Sequence, residues 1–250
     1  LGFCVAVAAL EKARWPDGFR CPRCGGHEHG LVYGRRLKRY QCRSCGHQAT
    51  LTAGKIMQAT KLQLTTWFQA FYLIGQAKTG ISSLELSRHL GVKYDTAWLL
   101  HNKVLRAMTE REDAYVLRGP VAGFSSDAVG AWAREHLAPG SAVLSDGLAC
   151  FPSVTTAGCS HEAVVTGGKH PNDLPQFRWI NTLLGNLKTS FSGTFHAFHF
   201  DKYARRYLGG FCFRFNRHFS LVAMTERIAN AVCVCKPCPE RALRVAEAYG

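Results

Sequence analysis

Two matched C-x2-C pairs near the amino end, a run of amphipathic segments punctuated by glycine, and a later stretch alternating short apolar runs with helical patterns together predict an α+β fold. In order, the parts are an N-terminal helix (residues 1–14), a ribbon of short strands (15–55), a helical region (56–118), a mixed α/β segment (119–232) and a tail (233–250). A chain of 250 residues accommodates several such parts, and its 47% apolar content supplies a core and excludes global disorder. No apolar stretch approaches the roughly 20 residues of a membrane span, so no membrane is expected as a partner.

The opening "LGFCVAVAAL" is apolar but lacks a basic leader and a cleavage site, and it reads as a helix. Lys and Arg number 31 against 17 acidic residues, a net charge of +14 that favours a polyanionic partner. Eleven cysteines cannot all pair, so a reducing compartment with metal binding is expected over a disulfide framework.

The ribbon rests on "CPRCGGHEHGLVYGRRLKRYQCRSCG", where Cys21 and Cys24 are separated by seventeen residues from Cys42 and Cys45. Two tight turns each present two thiolates, and four thiolates complete a tetrahedral structural Zn²⁺ shell. Gly25 and Gly46 follow the pairs and let the backbone turn its amides towards sulfur. Arg35, Arg36, Lys38 and Arg39 crowd the tip of the hairpin, either against DNA phosphate or simply in solvent.

The helical region begins with "KLQLTTWFQAFYLIGQAKTG", an apolar face with Gly80 as its expected C-cap. In "ISSLELSRHLGVKYDTAWLLHNKVLRAM", Ser82 or Ser83 caps a short helix, "LGV" turns, and a second amphipathic helix runs from Tyr94 to Met108. That pattern predicts a helix-turn-helix, with Lys93, Tyr94 and Thr96 at the amino end of the helix that meets base edges. A helical hairpin burying only its own core is the alternative.

From Val121 the texture changes. "SSDAVGAWAREHL" predicts a capped helix, "SAVLSDG" a buried strand ending in Asp146, and "HEAVVT" a second strand. "GGKHPNDLP" is a basic loop, "FRWINTLLGNLKTSFSGTFHAFHF" begins as a helix, and "KYARRYLGGFCFRFNRHFSL" interleaves Arg205, Arg206, Arg214 and Arg217 with aromatics as a second phosphate-contacting region. His196 and His199 read as DNA-contacting or core residues, and Cys233, Cys235 and Cys238 as buried thiols.

The order of ribbon, helical segment, "SDG", "INTLLGNLKTSFSGTFH" and "YLGGFCFRFNRHF" resembles the zinc-ribbon insertion-sequence transposases of bacteria, from about Trp15 to the C-terminus. The resemblance implies a DDE-type enzyme with an RNase H-like catalytic domain that uses Mg²⁺ or Mn²⁺ to cut and transfer DNA at the terminal repeats of a mobile element. It implies a cytoplasmic, nucleoid-associated protein. By the same resemblance Asp146 matches the second catalytic aspartate, Asn186 the third metal-site position, with Asn181 as the competing choice, and Lys188 the accompanying basic residue. The segment that would carry the first aspartate is missing between "REDAYVLRGPVAG" and the helix before Asp146, which predicts a truncated RNase H-like domain without its first strands. Asp113 and Asp127 are poor substitutes at helix ends. Two divalent ions need more carboxylate than one Asp and a neutral Asn provide, so catalysis is expected to be impaired. The alternatives are an active enzyme completed by a partner subunit, and a DNA-binding regulator that poisons an intact transposase by mixed assembly. Self-association as a homo-oligomer belongs to the same expectation.

Overall fold

The computed structural model describes residues 2–34, 38–113, 123–165, 167–168, 174–195 and 199–245. The chain folds as two compact units, residues 1–112 with 187–249, and residues 113–186.

The first unit is mostly helical, with a ribbon at its edge. Helix α1 (Phe3–Arg14) precedes strands β1 (His29–Val32), β2 (Arg39–Cys42) and β3 (Gln48–Ala49), which form an antiparallel sheet in the order β1-β2-β3. Register pairs His29 with Cys42 and Tyr40 with Ala49. The ribbon does not stand apart. Glu11 on α1 accepts from the Tyr40 hydroxyl and pairs with Lys38 Nζ at 2.8 Å. Arg14 donates to the carbonyls of Leu51 and Ala53, each at 2.8 Å. Trp15 meets Tyr40 edge-on at 4.7 Å. Leu10, Tyr40, Cys21 and Cys42 therefore belong to the same apolar core as Trp67 and Phe71.

Helix α2 (Leu64–Gln76) buries Leu64, Trp67, Phe68, Phe71 and Ile74, the face its spacing predicts. It ends earlier than expected. Ala77 is extended and Gly80 lies three residues on in a turn, where Ile81 must leave the helix direction to reach the core. Helix α3 (Ser83–Leu90) is capped by Ser82, whose hydroxyl accepts from the Glu85 amide at 3.1 Å, and closes on Gly91 in the left-handed region. Helix α4 (Tyr94–Glu112) is the central rod and buries nine residues, from Ala97 to Thr109.

In the second unit, α5 (Ser126–His136) starts at Ser125, whose hydroxyl accepts from the Ala128 amide. It packs on a 3-10 turn, Phe151–Ala157, over a small core of Val129, Ala133, Cys150, Val154 and Cys159. Strands β4 (Ala142–Ser145) and β5 (Ser160–Ala163) pair in parallel as a two-stranded sheet. The strand expected to be buried is not. Ala142 and Leu144 are exposed because no third strand or helix covers that side of β4 among the described residues.

Helix α6 (Arg178–Thr189) follows and buries none of its residues. Back in the first unit, α7 (Phe200–Phe215) lies along α4, α8 (Met224–Val234) packs on α1, α2 and α4, and the short α9 (Glu240–Leu243) touches α4. The expected tail thus enters the core: Cys233, Cys235, Cys238 and Leu243 are buried, and the Ile56 amide donates to the Cys235 carbonyl at 3.0 Å.

Candidate metal centre and nucleic-acid interface

The sulfurs of Cys21, Cys24, Cys42 and Cys45 all lie within 4.8 Å of one another, the one such group of metal-ligating side chains among the described residues. Cys21 Sγ stands 3.6 Å from Cys45 Sγ, and Cys24 Sγ 3.6 Å from Cys42 Sγ. Four zinc–sulfur bonds of about 2.3 Å at tetrahedral angles require sulfurs about 3.8 Å apart, so the set fits Zn²⁺ closely. Each pair sits on a tight turn: the Gly25 amide donates to Cys21 O and the Gly46 amide to Cys42 O, with both glycines at positive φ. A Cβ on Gly26 would stand 3.4 Å from the sulfurs of both Cys24 and Cys42, so the cradle has no spare room. The amides of Cys45 and Ser44 pull the Cys42 thiol down to about 6, against the cost of its burial. Although the Gly26 amide favours its thiolate, the sulfurs of Cys45 and Cys42 push Cys24 up to about 12. Such a set readily gives up its protons to a dication and holds it rigidly, a structural centre.

Of the basic residues expected at the ribbon tip, Arg35 and Arg36 lie outside the described residues. Lys38 faces inward to Glu11 and the Tyr40 ring, and exposed Arg39 donates to Gln48 Oε1 at 3.2 Å. At the start of α4, Lys93 and Tyr94 are exposed and Thr96 is half-buried, while one face of the helix beyond them, from Ala97 to Thr109, is buried in the core.

Helix α7 departs from expectation. Arg205 is exposed, but Arg206 is fully buried and Arg214 nearly so. Arg206 Nη1 donates to Asn102 Oδ1 at 2.7 Å and to the Leu243 carbonyl at 3.2 Å. Arg217 is ion-paired with Glu112 and lies over the Phe213 ring at 4.0 Å. As placed, Arg206 and Arg214 cannot reach a phosphate, because the face of α7 that carries them is the face covering α4. The reading of those two residues as DNA contacts is corrected accordingly.

Asp146 is exposed just past β4, and its Oδ1 accepts from the Leu148 amide at 3.3 Å. Beside it, Ser145 Oγ lies 2.9 Å from His161 Nε2 across the strand pair and also accepts from the Gly147 amide. Sequence reasoning missed this Ser–His contact, which depends on strand pairing and leaves no local signal. Asn186 is half-buried and Lys188 exposed on α6, which no other element packs against closely. Asn186 belongs to the same unit as Asp146, and Lys188 to the other. Asp146 joins no cluster of three ligating His, Cys, Asp or Glu side chains among the described residues. Asp113 and Asp127 stay at helix ends, and His196 lies outside the described residues. Burial pushes Cys233 up to about 11 and Cys235 higher still, as fits inert core thiols.

Among the described residues no helix is long and apolar enough to cross a membrane. No curated protein and no solved structure matches the chain. Residues 5–48 match the transposase zinc-ribbon domain, and residues 94–216 match the ISXO2-like transposase domain. The second match begins at the first turn of α4 and ends just beyond α7, so it takes in segments of both units. Over these two stretches the chain is thus similar to a transposase zinc-ribbon domain followed by an ISXO2-like transposase domain.

Proposed function

We propose that this protein binds the terminal repeats of an insertion element through its ribbon and helical region, and that its strand-cleaving centre is crippled by an internal deletion in a truncated RNase H-like domain. The observation that carries this reading is the contrast between its parts. The cysteine cage is complete and tied to a large core, whereas Asp146 follows a strand that has one pairing partner among the described residues. Only the thirteen residues 113–125 separate α4 from α5, too few for the strands that would hold a first aspartate.

On the binding side, α3, the Gly91 turn and α4 act as a helix-turn-helix. Lys93, Tyr94 and Thr96 reach base edges or phosphates at the amino end of α4, and Arg39 and Arg205 add exposed charge. Arg35 and Arg36 extend the same charge at the ribbon tip. Asp146, Asn186 and Lys188 are the remnant of the catalytic set, and no step is assigned to them. The protein works in the bacterial cytoplasm, on the nucleoid. The intact DNA-reading half favours a second role, as a regulator that occupies element ends or joins an intact transposase in a mixed oligomer.

The test is incubation of the zinc-loaded chain with labelled DNA from both flanks of its own gene, with Mg²⁺ or Mn²⁺, beside Asp146→Ala. Retarded but uncut DNA, equal for both proteins, is expected. Nicking that disappears in Asp146→Ala overturns the crippled centre, and absence of sequence-selective retardation overturns DNA binding.

A further inference from the structure

The interior of the first unit contains a charge that no acidic group among the described residues balances. Arg214, near the end of α7, is only 6% exposed, and its Nε and Nη2 are buried without a hydrogen-bond partner. Burial lowers its pKa to about 10, which still leaves it protonated at neutral pH. Glu112, a carboxylate near that end of α7, is engaged by Arg217 and Asn216. Among the described residues no acidic group pairs with Arg214.

His101, on the facing helix α4, is 1% exposed. Its Nδ1 lies 3.1 Å from Ser83 Oγ, and its Nε2 is buried without a partner. With Ser83 donating to Nδ1, the neutral ring carries its proton on Nε2 and offers it as a donor. Burial first, then the charges of Arg214 and Arg206, hold this imidazole neutral, with its pKa near 3. Arg206 Nη1 donates to Asn102 Oδ1 and Leu243 O. Arg214 and His101 therefore bring a positive charge and unused N–H groups to this junction.

Its walls are apolar and close. A Cβ on Gly80 would stand 2.3 Å from the Phe195 ring and 3.4 Å from Arg214 Nη2, and one on Gly210 would stand 2.4 Å from Leu105 Cδ2. An ion buried alone in such surroundings costs several kcal/mol unless an opposite charge accompanies it. Lysine or histidine would escape by losing a proton, but a guanidinium does not.

We propose that the junction of α3, α4 and α7 binds a small inorganic anion, held by Arg214 Nε and Nη2 and by His101 Nε2–H. Phosphate and halide share the required chemistry. The dry walls favour a monovalent halide, because a dianion loses more hydration on entry.

The test uses the full zinc-loaded chain. Thermal midpoints are measured against rising chloride, bromide or inorganic phosphate, with gluconate holding ionic strength constant. A saturable rise of about 5 °C or more is expected for the bound anion by mass action. Arg214→Met is expected to lose that rise. Crystals soaked in bromide are expected to show an anomalous peak within hydrogen-bonding distance of Arg214, a readout that survives if the variant fails to fold. Midpoints that rise linearly without saturation in both proteins, for every anion tested, reflect general salt effects and overturn the site; where chloride or bromide does give a saturable rise, a missing bromide peak at Arg214 overturns it too. A response to phosphate but not to chloride or bromide keeps the site and identifies an oxyanion.

Discussion

Replacing Gly209 by alanine sets two opposing effects against each other. Removing a glycine from the interior of α7 favours the helix by about 1 kcal/mol. Against this, a Cβ at Gly209 would stand 2.3 Å from Thr109 Oγ1 and 2.7 Å from both Thr109 Cβ and Cγ2, where ordinary contact begins near 3.4 Å. Thr109 cannot easily turn away, because its hydroxyl donates to Leu105 O at 2.9 Å and lies 3.3 Å from Arg206 O. The helices must separate by about 1 Å, which loosens Leu105 against Gly210 and lengthens the Arg206–Asn102 bond. Overpacking of this kind costs about 1–3 kcal/mol, and the weakened charged hydrogen bond adds about 1 more. We expect a net loss of about 2 kcal/mol, seen as a fall of about 4–8 °C in the thermal midpoint followed by tryptophan fluorescence. Gly185→Ala on α6 is the control, since a Cβ there meets nothing within 4 Å and should leave stability unchanged or raised by up to about 1 kcal/mol. A Gly209→Ala protein as stable as the wild type would refute the close packing of α7 on α4.

Chelating zinc should unfold the helices of the first unit as well as the ribbon, because Cys21 and Cys42 share a core with Leu10 and Trp67. Structural zinc contributes about 10–16 kcal/mol in small ribbons, comparable with or more than the stability of a whole domain. Far-ultraviolet dichroism that stays constant while released zinc is titrated would contradict this. Zinc affinity should weaken as pH falls, since each coordinating thiolate must be won from a proton, and an affinity that does not change with pH would count against four-thiolate binding. Asn102→Ala should cost about 2–3 kcal/mol by depriving buried Arg206 of its 2.7 Å acceptor, and an unshifted denaturation midpoint would show that the bond carries no weight. Lys93→Ala should leave the melting temperature unchanged while lowering the salt slope of DNA binding by about 0.9, and an unaltered slope would remove Lys93 from the interface.

Local spacing made much of this protein readable. The cysteine pairs, the serine caps at Ser82 and Ser125, and the apolar face of α2 each depend on residues a few positions apart, so short-range geometry dictates them. The Asp146 turn at the end of a strand was legible for the same reason, but the strand's exposure was not, since covering a sheet face requires elements brought from elsewhere.

The fate of the arginines on α7 belongs to tertiary structure alone. Arg206, Gly210, Phe213, Arg214 and Arg217 recur at helical spacing on one stripe, yet charge on a stripe reads as solvent-facing until a partner helix covers it. That partner is α4, and the acceptor it offers Arg206 lies 104 residues away in the chain. Likewise, α1 and the tail read as separate appendages, while the Glu11 contacts and the burial of Cys235 and Leu243 draw them into the ribbon and the helical core. By itself the sequence determined a zinc-binding turn pair, its capped helices and a basic balance suited to DNA. The tertiary structure decided which charges remain exposed, because burial depends on which distant segments close over a side chain.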